Sequence, residues 1–122
     1  MALLTILAIP TASAQGYYYL VPADSNATYG SCTEVALWAH PSIYIAGGAV
    51  EITYDPSCAA ISCANWTLNN TLWYMGTCSD YTSGVLTLTY YAAPGVEYPP
   101  EVDYHIGNLT ICCDSPTYCK TD

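Results

Sequence analysis

Basic residues are all but missing from this sequence. Its 122 residues hold ten Asp and Glu against one lysine, Lys120, for a formal charge of −9. With nothing to neutralise a run of phosphates, nucleic acid and anionic membrane surfaces are excluded as partners. Charge of either sign is sparse at 9%, yet 52% of residues are hydrophobic, so collapse wins and disorder is excluded as the main state. Phenylalanine is absent, so 13 Tyr and 3 Trp must supply both the core rings and any binding rings. Helical periodicity is missing after residue 14, and the length fits one domain. His40 and His105 are the only histidines, with no Ser-His-Asp order and no Gly-x-Ser-x-Gly elbow.

Other routes to chemistry are equally thin. Glu97, Glu101 and Asp103 are the material for a glycosidase-type acid pair, but they lie in a proline-rich loop and read as solvated charge. His105, near Glu101 and Asp103, reads as a surface histidine beside carboxylates. Glu51, Asp55 and Asp80 carry oxygen ligands, without the Asp-x-Asp-x-Asp-Gly spacing of a calcium loop. Neither the Cys58/Cys63 spacing nor the Cys112-Cys113/Cys119 spacing is that of a zinc knuckle. No catalytic residue, cofactor or metal is expected.

What is there points outward. Residues 1–14 (MALLTILAIPTASA) combine an apolar run with Ala12-Ser13-Ala14, a signal-peptidase spacing, although a basic n-region is missing. The run is about half the length of a membrane span, so no membrane insertion is expected once it is removed. The domain is then 15–122. Cys32, Cys58, Cys63, Cys78, Cys112, Cys113 and Cys119 read as a disulfide framework of open connectivity with one cysteine left over. Asn26, Asn65, Asn69 and Asn108 each begin an Asn-x-Ser/Thr sequon, the pattern of a surface glycoprotein. An extracellular or cell-surface location follows.

The chain reads as short strands of period two. Strands are expected at 17–22, 33–40, 49–54, 84–92 and 104–113, with weaker ones at 59–66 and 72–75. Val35 and Leu37 share one face, as do Val50, Ile52 and Tyr54, Leu86, Leu88 and Tyr90, and Leu109 and Ile111. Residues 23–30 and the proline-rich 93–101 read as loops. Such spacing describes an all-β sandwich or barrel.

The order YYYLVP, TEVALWA, GGAVEITYDPSCAAI, GVLTLTYYA and HIGNLTICC resembles the cohesin-like modules of exported archaeal proteins across residues 17–119. The likeness is most specific at Gly47–Ser57, a strand ending in a Tyr-Asp-Pro turn, and at Ile106–Ile111. It implies a jelly-roll β-sandwich, related in fold to certain carbohydrate-binding modules. It also implies a non-catalytic scaffolding or adhesion role, with a dockerin-like protein or a second copy held on a face built by 49–54 and 84–92. Cohesins continue past the late strand, so the resemblance implies a missing last strand and an open edge at 17–22. The alternatives are a carbohydrate-binding module that takes a polysaccharide on Trp73, Tyr74 and Tyr91, or a structural subunit of a surface layer or filament.

Overall fold

A computed structural model describes residues 2–5, 7–10, 16–22, 24–27 and 29–113, with backbone alone for 2–5, 7–10 and 24–27. The fold is all-β, and every ladder among the described residues is antiparallel. In chain order the strands are β1 (Ala2–Thr5), β2 (Leu7–Pro10), β3 (Gly16–Val21), β4 (Asp24–Ala27), β5 (Cys32–Pro41), β6 (Gly47–Thr53) and β7 (Ala59–Ala60). A 3-10 turn (Cys63–Asn65) then leads to β8 (Trp66–Leu68), β9 (Met75–Ser79), β10 (Val85–Tyr91) and β11 (Tyr104–Cys113). One sheet runs β2-β6-β10-β9. The other runs β3-β5-β11-β7, with β8 also on β11.

Alternation decides which side chains meet. Leu20, Val35, Leu37, Leu109 and Ile111 from one sheet are buried together with Val50, Ile52, Leu86, Leu88 and Tyr90 from the other. This is a sandwich core, aliphatic apart from Tyr90, of residues that keep to one face of each strand. A ring cluster closes it: Trp73 meets Tyr90 edge-on at 4.6 Å and Tyr98 at 5.1 Å. The strands expected at 17–22, 33–40, 49–54, 84–92 and 104–113 are all present with the expected inward residues, and the 93–101 segment is a loop. The β5–β11 register slips between His105 and Gly107, where parity was hardest to read.

Three expectations are corrected. Residues 59–66 are not one strand: β7 is two residues long, and the chain then turns through Cys63–Asn65. Residues 72–75 lie largely in a turn, because Trp73 N–H donates to Asn69 O, and the strand begins at Met75. Within 23–30, Asp24–Ala27 is a strand paired with Ala2–Thr5. Of the segment read as a signal, Leu7–Pro10 also pairs, along β6. Ala12-Ser13-Ala14 lies outside the described residues, as do Cys119 and Lys120.

Cys32 and Cys112, cross-strand partners on β5 and β11, are disulfide-bonded, as are Cys63 and Cys78. Cys58 is disulfide-bonded too, and Cys113 is buried. These bridges point to an oxidising compartment. Among the described residues no helix is long and apolar enough to cross a membrane.

Candidate functional site: a tyrosine-lined cleft

The chain leaves β5 at Pro41 and crosses to the other sheet through residues 42–46. Ile45 anchors this crossing: its N–H donates to Tyr98 O at 3.0 Å, and its carbonyl accepts from Tyr98 N–H at 2.8 Å. Ala92 N–H donates to Ala46 O at 2.8 Å, which fastens the same crossing to the end of β10. Between this bridge and the two sheets opens a cleft of about 350 Å³, within the size range of small-ligand sites.

Five tyrosines line it: Tyr17 and Tyr18 from β3, Tyr44 from the crossing, and Tyr90 and Tyr91 from β10. Tyr17, Tyr44 and Tyr91 stay 55%, 63% and 48% exposed. Tyr18 and Tyr90 are deeper, and their hydroxyls meet at 2.6 Å, tying the two sheets together. Burial pushes both phenols well up, so both stay neutral and offer donors and acceptors rather than charge. Gly48 leaves room for the pair, since a Cβ there would sit 2.5 Å from the Tyr90 hydroxyl and 2.8 Å from that of Tyr18. The remaining lining is Ala, Pro, Ile, Gly and Thr, without one charged side chain.

Beside the cleft, on the outer face of the β3-β5-β11 sheet, more rings adjoin. Tyr17 stacks on His40 at 4.9 Å, Tyr19 lies parallel to Trp38 at 6.4 Å, and Trp38 meets His105 at 5.1 Å. Each contact joins cross-strand partners, which brings the rings to one face of the sheet.

Of the three rings expected to bind, only Tyr91 lines the cleft. Trp73 is a correction: it is 1% exposed, and its indole N–H donates inward to His105 O at 3.0 Å, so no ligand reaches it. Tyr74 is 67% exposed and lies outside the lining, with its N–H bonded to Tyr91 O. Reading strands one by one missed Tyr44, because only the crossing between sheets brings it into the same lining as Tyr17 and Tyr91. Residues 17–19 did carry a signal, since alternation must expose one of three consecutive tyrosines.

The carboxylates are dispersed. Glu101 and Asp103 engage His40 outside the cleft, and Glu97 is exposed. Asp55 accepts from Ser57 N–H and hydroxyl, which hold its carboxyl below the usual range. Asp80 accepts from Cys63 N–H at 2.9 Å, and Glu51 is exposed on β6. His105 Nε2 meets Asn108 Oδ1 at 2.8 Å.

The sequons differ in setting. Asn65 is exposed at the end of the 3-10 turn. Asn69 is half-buried, donating from Nδ2 to His105 O and accepting from Thr71 N–H. Asn108 is half-buried at mid-sheet, and Asn26 falls in β4. Compared with known families, curated proteins and solved structures, the chain matches none.

Proposed function

We propose that this is a non-catalytic, exported binding module that holds a neutral saccharide in the tyrosine-lined cleft. One observation carries the reading: five tyrosines, three of them exposed and two sharing a neutral hydroxyl pair, line a cleft without one charged side chain. Sugar rings present apolar C–H faces and many hydroxyls. Tyrosine answers both, with a flat apolar body and a polar tip. A charge of −9 disfavours polyuronates and other anionic chains.

The test is affinity electrophoresis of the full chain in gels holding laminarin, mannan, hydroxyethylcellulose or polygalacturonate. We expect retardation by at least one neutral polymer and none by polygalacturonate. Tyr44→Ala and Tyr91→Ala should each weaken binding about five- to thirtyfold, the loss of a ring contact worth roughly 1–2 kcal/mol. Both positions are about half exposed or more, so both variants should keep the wild-type melting temperature. Binding unchanged in the double variant would remove the cleft from the account.

A second reading keeps a protein partner, dockerin-like or a second copy, in line with the cohesin resemblance and its jelly-roll order. The outer side of β6 and β10 favours it, since Glu51 stands there beside Thr87 and Thr53 beside Val85, with Tyr91 the one ring on that side of these two strands. A mixed polar face of this kind suits protein better than sugar. Glu51→Lys and Thr87→Lys should abolish capture of such a partner and leave saccharide retardation untouched.

A further inference from the structure

His40 ends the half-buried ring row on the outer face of the sheet, one residue before Pro41, which lines the cleft. Both of its ring nitrogens face carboxylates: Nδ1 lies 2.8 Å from Asp103 Oδ1, and Nε2 lies 3.2 Å from Glu101 Oε2. A neutral imidazole has one N–H and can serve only one acceptor, whereas the imidazolium donates to both. The two-carboxylate arrangement therefore fits the charged ring. Tyr17 lies flat on that ring at 4.9 Å with a tilt of 16°, and the same Tyr17 is a wall of the cleft.

The carboxylates come from a segment that needs holding. Glu101 has φ of 64°, a left-handed backbone that a residue with a side chain adopts at a cost. Its N–H donates to Pro41 O at 2.8 Å, and Tyr104 ties Pro99 O through its hydroxyl at 2.5 Å. Around His40 the ionisable groups are Asp103 and Glu101 from this segment and Tyr17 and Tyr19 from β3, where burial and the Asp103 carboxylate push the Tyr19 phenol up. His105, on the far side of Trp38, is turned to Asn108. Among the described residues no lysine or arginine is present, so His40 is the one side chain there whose cationic form can neutralise the pair.

We propose that His40 is a proton-operated clasp on the cleft, closed on Glu101 and Asp103 when charged and released when neutral, and that affinity for the ligand follows its state. The inference rests on the saccharide reading and adds its regulation. The hydrogen bonds to Asp103 and then Glu101 raise the His40 pKa above the ordinary imidazole value. The clasp is therefore fully closed below about pH 6.5 and is lost as pH rises through the raised value. Release frees the strained Glu101 turn and removes the fixed face under Tyr17, so the cleft loses a wall.

Three measurements on the full chain test this across pH 5 to 9. Imidazole proton NMR follows the two histidines, with His40→Gln assigning them. Amide exchange follows residues 99–103. Affinity electrophoresis uses the neutral polymer that retards the chain most. We expect His40 to titrate above the free-imidazole value and exchange at 99–103 to rise through the same midpoint. Affinity should fall about fivefold or more across it, the lower range of ordinary coupling between linked sites. In His40→Gln affinity should be flat with pH. An ordinary His40 titration, or exchange that ignores it, overturns the clasp even where saccharide binds. A pH dependence that survives His40→Gln removes His40 from the role. No retardation at any pH in any polymer overturns the cleft reading and the affinity claim, while NMR and exchange still decide the clasp.

Discussion

Trp73 shows what a chain without phenylalanine asks of its other rings. It fills the end of the core against Tyr90, Tyr98 and Tyr104, and its indole N–H shares the His105 carbonyl with Asn69 Nδ2. Trp73→Ala should cost about 3–5 kcal/mol, the range for deleting a buried aromatic. Trp73→Phe keeps most of the packing and leaves that carbonyl bonded to Asn69, so it should cost far less, by about 1–2 kcal/mol. Equal losses in thermal unfolding of the two variants would show that the hydrogen bond, and not the ring, is what matters. At this scale the sequence is legible for aliphatic residues and ambiguous for rings. Leu86 and Leu88 go inward because nothing else suits them, whereas a tyrosine satisfies either side: Tyr90 is buried and Tyr91, its neighbour, is half in solvent.

Among elements, those with one buried face were readable and those without one were not. β10 alternates strictly, and β11 does so from Gly107 to Cys113, after the register slip at His105–Gly107, so their bounds and the parity of Leu109 follow from the residues. β9 is an edge strand held by its ladder to β10, with Met75, Gly76 and Thr77 all exposed, so it leaves no alternation to read. β7 and β8 are short because the 3-10 turn between them interrupts what would otherwise be one pairing along β11. The parity of β11 carries a sharp test. Leu109 is fully buried, while Asn108 is half-buried on the other face, within 2.8 Å of His105 Nε2. Leu109→Asn should lose several kcal/mol, about 3–5, from the cavity and the unpaired amide together. Asn108→Gln should lose about 1 kcal/mol or less. Comparable denaturation midpoints for the two would invert the strand.

For the whole molecule, the two sheets are joined by the core, by the Tyr18–Tyr90 hydroxyl pair and by the Cys63–Cys78 disulfide. Cys63 lies in the turn between β7 and β8, which both pair with β11, and Cys78 lies on β9 in the opposite sheet. Cys32–Cys112, in contrast, joins two strands that their own ladder already holds together. Chain entropy favours the second bridge, because it closes 80 residues against 15. In that account the smaller loop is worth about 3 kcal/mol and the larger between about 3 and 4.7. Architecture favours the first, whose loss frees the edge strand β9 from the turn between β7 and β8 in the opposite sheet. Since small domains hold only about 5–15 kcal/mol in all, reduction of the disulfides should lower the melting temperature by well over ten degrees. Replacing Cys63 and Cys78 by alanine should speed amide exchange in β9 and in the 3-10 turn. Replacing Cys32 and Cys112 should lower global stability and leave the spread of exchange rates among the strands as it was. An identical exchange pattern in both pairs of variants would mean that the disulfides act on the unfolded chain alone, and that the core and the hydroxyl pair suffice to hold the two sheets face to face.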